Sequence, residues 1–144
     1  MPYRVGTRPR SLVDHLAVSF ARATDERPEE DPVIRHVVAL QLHASDPVER
    51  RRLARDIKSR LEALRGLNEG VLAIDVHLER RDAPPHWPLV LIADFADEDS
   101  LDHYQSHARH RDVLDWLNGG VVSDRAVVDF EIDLGPESNV TRHR

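Results

Sequence analysis

The chain has 144 residues, 40% of them hydrophobic and 32% charged, with a formal net charge of −6 and no cysteine. That describes one soluble globular domain with a single core, too short for two comfortable ones. The acidic balance argues against a nucleic-acid partner, whose phosphates need a concentrated basic surface, and the lack of cysteine excludes disulfides, thiolate nucleophiles and thiolate-held metals.

Nothing approaches the ~18 consecutive apolar residues needed to span a bilayer. The partly apolar stretch 12–23 is interrupted by Asp14, His15 and Arg22 and is followed by no small-residue cleavage site. A cytoplasmic protein with no membrane or nucleic-acid partner is therefore expected.

Residues 1–32 form an N-terminal extension. Leu12, Leu16 and Phe20 share a face of a short helix over 11–23, and the acidic, proline-punctuated TDERPEEDP over 24–32 reads as a linker. An interaction helix, a crossover onto a dimer partner and a disordered leader all fit this segment. The main domain is placed at 33–133, with a polar tail over 134–144.

In 34–43, His36, Val38, Leu40 and Leu42 alternate with Arg35, Val37, Ala39 and Gln41, which predicts a strand with one face suited to burial. A strong helix start comes next. Asp46 caps, Pro47 fits the first turn and Glu49 is placed for a reciprocal capping box. That helix carries Leu53, Ile57, Leu61 and Leu64 on one stripe, with Gly66 at its end. The run Arg50-Arg51-Arg52 reads as its solvated face.

A second strand is predicted over 70–79, with Leu72, Ile74, Val76 and Leu78 on one side. After a proline-rich loop holding His86 and Trp87 comes LVLIADF (89–95), apolar enough to be a central strand covered on both faces. His77, His86 and Trp87 fit either a substrate lid or, better, an exposed loop. A helix opens at 97–100, runs through Tyr104 and bends near the histidines; a further helical piece covers 111–117 and stops at Asn118-Gly119-Gly120. The last strand, 125–132, sets Ala126, Val128, Phe130 and Ile132 on one face.

The order β-α-β-β-α-β predicts a ferredoxin-like α+β fold with an antiparallel sheet. Helices cover only one face of such a sheet. The other face carries Val37, Ala39, Val71 and Ala73, too apolar to stay wet, so a second copy packed sheet to sheet, a homodimeric α/β barrel, is the simplest cover.

Four segments together carry a family resemblance: Arg35-His36-Val37-Val38, Asp94-Phe95, Tyr104-Gln105-Ser106-His107-Ala108-Arg109-His110, and Asp124-Arg125-Ala126-Val127-Val128-Asp129-Phe130. They resemble the stress-responsive A/B-barrel (Dabb) family pattern K-H-x-V, F-x-S/D, Y-x-x-H-P-x-H and V-V-D-Y/F. The resemblance spans about 33–133. It implies a dimeric barrel with a pocket between the sheet and helices of each protomer. In the olivetolic acid cyclase-like polyketide cyclases of this family, aldol condensation proceeds without metal or cofactor. Their catalytic tyrosine and histidine fall on Tyr104 and His110, with a further pocket histidine on His36 and the first histidine of H-P-x-H on His107. Val38, Leu40, Leu53, Ile57, Leu91 and His107 are then expected to line the pocket. The family proline is Ala108 here, which relaxes the expected bend, and the cyclase's aromatic helix positions are Leu53, Ala54 and Ile57, which predicts a more aliphatic pocket.

A histidine near its ordinary pKa can take a proton from carbon next to a carbonyl, while a tyrosine hydroxyl supports the enolate oxygen. The first reading is therefore a cofactor-independent enzyme on a small apolar carbonyl compound, of the polyketide-cyclase (aldol or Claisen) or lyase type. The second is a non-catalytic stress-response protein that binds a small hydrophobic ligand or a partner. As side chains, His36 and Tyr104 also fit purely structural roles. A metal site on His103, His107 and His110, with Asp102 and Asp112 nearby, is the weaker rival, because a bend at His107 breaks the shared face and His103 falls toward solvent. No phosphate loop or serine-hydrolase elbow is present.

Overall fold

The structure, a computed structural model, describes residues 32–133. The helix expected over 11–23, nearly all of the linker and the C-terminal tail lie outside the described residues. Strand β1 (Val33–Leu42), helix α1 (Pro47–Glu62), strands β2 (Val71–Leu78) and β3 (Leu89–Phe95), helices α2 (Glu98–Ser106) and α3 (Ala108–Trp116) and strand β4 (Val122–Ile132) succeed one another along the chain. The sheet runs β2-β3-β1-β4 with every neighbour antiparallel, so this is a ferredoxin-like α+β fold. Among the described residues no helix is long and apolar enough to cross a membrane.

Period-two patterning decides which side chains go inside. Ile34, Leu40 and Leu42 of β1 join Ile74, Val76, Leu91, Ala93 and Phe95 beneath the helices, with Ile57 and Leu61 closing over them from α1. The core is the layer between helices and sheet. Asp46 caps α1 as expected, its carboxylate accepting from Glu49 N–H at 2.9 Å. The reciprocal half of the box does not form: Glu49 turns along the helix to Arg52, at 2.6 Å, because an opposite charge one turn away competes with the cap backbone.

β2 departs from simple alternation. The pairing with β3 slips between Val71 and Ala73, so Val71 sits opposite Phe95 and packs against the core. Leu72 is left 48% exposed. The expectation that Leu72 is a core residue and Val71 belongs to the open face is thereby reversed, because one extra residue in a strand exchanges the faces of its neighbours. At the start of β2, a Cβ on Gly70 would sit 1.8 Å from Ser100 Oγ, so only glycine allows α2 to seat this closely.

β2 is an edge strand, and α1 and the turn after it reach over to it. Lys58 Nζ donates to the Val76 carbonyl at 2.8 Å, Val76 N–H donates to Glu62 at 2.9 Å, and Arg65 Nε donates to the Ile74 carbonyl at 2.7 Å. Burial of Glu62 works against its charge, yet the Lys58 ammonium and the Val76 N–H outweigh that and hold its carboxyl below the usual range.

The open face carries Val37, Ala39, Val90, Ile92, Val128 and Phe130 in register across three strands. Val128 is 58% and Phe130 43% exposed. Its strongest charges are matched to each other: Arg35 makes two parallel bonds to Asp94, at 2.8 and 2.9 Å. β3 is central, as its apolar character predicts, but within one chain only its helix side is covered.

Candidate functional site

The bend between α2 and α3 is made by His107, which is extended (φ −67°, ψ 142°) and accepts from Arg109 N–H through Nδ1 at 3.0 Å. A histidine acting as the N-cap replaces the device expected of a proline, so Ala108 costs the bend nothing and α3 begins at 108 rather than 111. The bend points His110 inward, and its ring centroid lies 4.6 Å from that of Tyr104. Phe95 continues this arc, 5.0 Å from Tyr104 and 6.3 Å from His36. Three elements thus bring the two histidines and the tyrosine around one space.

That space is a cavity of about 160 Å³ between sheet and helices. Val38, Leu40, Leu91 and Val127 form its sheet wall and Leu61, Leu114 and Leu117 its helix wall. His36, Tyr104, His110, Gln105 and Arg125 supply its polar groups. Leu53, Ile57 and His107 do not line it. Ile57 is fully buried in the core, Leu53 packs against the core's margin, and His107 is spent on the cap. A helical stripe shows which residues face the sheet, but not which part of the sheet lies beneath each one.

The ring nitrogens have defined partners. His36 Nδ1 lies 2.6 Å from Asp129 Oδ1, its antiparallel partner on β4. His110 Nδ1 donates to the Gln105 carbonyl at 3.2 Å. Both partners are acceptors, so each Nδ1 carries a proton and each Nε2 is turned away from that bond. Burial pulls the His110 pKa below 6.5, a nearby positive charge on His36 would add to this, and the Gln105 carbonyl only partly offsets it. Burial also pushes the Tyr104 phenol well above its ordinary range. At neutral pH the site therefore offers a neutral imidazole and a protonated phenol. The Tyr104 side chain is 1% exposed and its hydroxyl has no hydrogen-bond partner among the described residues. Buried hydroxyls seldom go unsatisfied without a role.

Asp129 belongs to the β4 motif, yet the sequence assigns it no function; its pairing with His36 becomes visible only once β1 and β4 are in register. Asp129→Asn should leave the fold intact and free the His36 ring to flip tautomer. If the site turns a substrate over through His36, that rate is expected to fall by about tenfold to a hundredfold. Steady-state kinetics alongside the ring-nitrogen NMR shifts of His36 check this: loss of rate with no tautomer change would assign Asp129 a different role.

His103 is exposed and bonds Asn68 through Nδ1 at 3.0 Å, while His110 turns inward. The three histidines do not converge, and no metal-holding cluster occurs among the described residues. His77, His86 and Trp87 lie away from the cavity, with His86 3.3 Å from Glu79 across the β2–β3 hairpin.

A family model described as Stress Responsive A/B Barrel Domain matches residues 34–132. No curated protein matches the chain. Among solved structures, a dimeric ferredoxin-like protein of unknown function from Bacteroides fragilis is 26% identical, with a TM-score of 0.60 over 69% of this chain and 96% of that one. A dabb family protein with a ferredoxin-like fold from Mesorhizobium loti is also 26% identical, with a TM-score of 0.53 over 72% and 99%. A dimeric ferredoxin-like protein of unknown function from Thermobifida fusca shares 20% identity, a TM-score of 0.61, and 73% and 95% coverage, a likeness of fold.

Proposed function

The chain belongs to the stress-responsive A/B barrel domain family, and from that premise we propose that it is a cofactor-independent enzyme acting on a small, mostly apolar carbonyl compound by proton transfer next to the carbonyl. One observation carries the reading: a buried phenol whose hydroxyl has no hydrogen-bond partner among the described residues lines the same cavity as two imidazoles whose Nδ1 positions are already engaged. Such a cavity supports charge that appears only during reaction.

In this reading the Nε2 of His110 removes a proton from the carbon beside the carbonyl. The C–H electrons pass into the new C=C bond and the carbonyl π electrons onto oxygen, where the Tyr104 hydroxyl donates a hydrogen bond to the enolate. His36, held by Asp129, is placed to act on a second proton, and the imidazolium it forms would be stabilised by that carboxylate. The enolate carbon then attacks a second carbonyl of the same molecule: in an aldol cyclisation the new alkoxide takes the proton back from His110, and in a Claisen cyclisation the C=O re-forms as the leaving group departs with that proton. In a lyase step the enolate re-forms its C=O and expels a leaving group, which takes the proton instead. Apolar walls limit the water that would quench the enolate.

A homodimer belongs to this proposal. The open face exposes Leu72, Val128 and Phe130, and its Arg35 and Asp94 satisfy each other, as groups must on a face to be buried. The solved relatives from Bacteroides fragilis and Thermobifida fusca are described as dimeric.

The test is turnover of a panel of short polyketide-like and aromatic carbonyl compounds by wild type and His110→Ala. Because burial keeps His110 unprotonated below its ordinary pKa of 6.5, the rate should hold steady to that pH and fall only beneath it. Stability carries the same sign. The unfolded chain takes up this proton at the ordinary value and the fold resists it, so stability falls as pH drops from 6.5 toward the lower native pKa. Loss of turnover in the variant and an acid limb below 6.5 support the enzyme; a panel bound but never converted supports a binding protein instead.

A further inference from the structure

One ionisable group of the cavity has no task in these proton transfers. Arg125 stands opposite Leu40 on the helix side of the sheet, half-buried, and helps line the cavity. The sheet's other arginine, Arg35, has a carboxylate partner in Asp94. Arg125 has none among the described residues. Its guanidinium makes one hydrogen bond there, from Nη2 to the side-chain oxygen of Asn118. That residue sits in the wide turn after α3, where Gly120 at φ +104° takes a left-handed conformation. The bond steadies the fork and leaves the other N–H groups available.

We propose that the cavity takes a compact organic carboxylate, with the anionic group held by Arg125 and the apolar body reaching toward Tyr104 and His36. This rests on the reading of the cavity as a carbonyl-compound site, and it names the class of compound. A guanidinium fork matches a carboxylate in two parallel bonds, and half-burial beside apolar walls strengthens them. The spacing agrees. Arg125, Val127 and Asp129 alternate along one side of β4, and four residues at about 3.3 Å each set the two ends about 13 Å apart. Positive charge thus stands at one end of the site and a carboxylate-backed imidazole at the other, so an anionic ligand can enter in only one orientation. A volume of about 160 Å³ suits a single ring or an equivalent short chain, since a dry cavity of roughly 150 Å³ accepts benzene.

Benzoate and benzamide, equal in shape and different in charge, are the probes, followed by ligand-observed NMR and calorimetry on the full chain. Wild type is expected to bind benzoate at least about tenfold more tightly than benzamide. Arg125→Leu should abolish that preference by weakening benzoate while benzamide is unchanged. Arg125→Lys, which keeps the charge and loses the fork, should retain part of the preference, and it carries the test if the leucine variant does not fold. Equal binding of the two probes by wild type, a preference that survives in Arg125→Leu, or no benzoate binding at millimolar concentration would each overturn the assignment. None of these readouts depends on turnover. A charge preference that vanishes in Arg125→Leu with no compound ever converted would sink the enzyme and leave the carboxylate site standing; turnover of neutral compounds only would do the reverse.

Discussion

Tyr104→Phe should abolish nearly all turnover without weakening the fold. A donor placed where negative charge develops contributes about 10²–10³ in rate, so a loss in that range is expected in kcat. Stability should move the other way or not at all. The hydroxyl is buried and forms no hydrogen bond among the described residues, so its oxygen contributes a desolvation cost of about 1–3 kcal/mol with nothing to offset it. Phenylalanine removes that cost and keeps the ring against Phe95 and His110. Thermal unfolding and kinetics on one preparation decide the matter. An unchanged or raised midpoint with lost rate assigns the hydroxyl to chemistry. A lowered midpoint would mean that it is satisfied in solution, for instance by ordered water, and is structural.

In the proposed homodimer, Val128→Asp should leave a monomer. Val128 is 58% exposed, sits opposite Val37 on the open face, and lies beside Phe130 and Ala126 in the same row. Burying a carboxylate there without a partner costs several kcal/mol, and a two-fold interface incurs the cost twice. The dimer dissociation constant is expected to rise by about 10³ or more, which sedimentation velocity would report as a shift to the monomer at micromolar protein. Because the cavity lies on the opposite side of the sheet, benzoate binding should survive. A variant that remains dimeric would move the interface off this face.

Much of the architecture was legible in residues 33–133 because three strands alternate with a period of two and the other, 89–95, is an almost unbroken apolar run. The alternation His36-Val38-Leu40-Leu42 and the Asp46-Pro47 helix start are local signals, and they survive folding because tertiary packing agrees with them. The site was legible in part. Tyr104, His110 and His36 were reached through the motifs that carry the family resemblance, and the structure sets all three around one cavity. Asp129 and Arg125 escaped because the pairing of one and the cavity position of the other depend on the register between β1 and β4; the Asp129–His36 bond joins residues 93 apart in the chain. Leu53 and Ile57 were misplaced for a related reason. Their stripe faces the sheet, but over the core rather than the cavity. Val71 and Leu72 exchanged faces through a one-residue slip, which no alternation pattern announces.

The three bonds to β2 from α1 and the turn that follows it have a consequence for how copies of this protein can meet. A free strand edge invites another strand to continue the ladder, the first step toward fibrillar aggregates. Here the outward N–H and C=O of Val76 and the carbonyl of Ile74 are already occupied by Glu62, Lys58 and Arg65. An incoming backbone at this edge would first have to displace charged side chains. The greasy face stays open while this border of the sheet is shut, so the proposed pairing across the sheet meets no competition from strand addition at this edge.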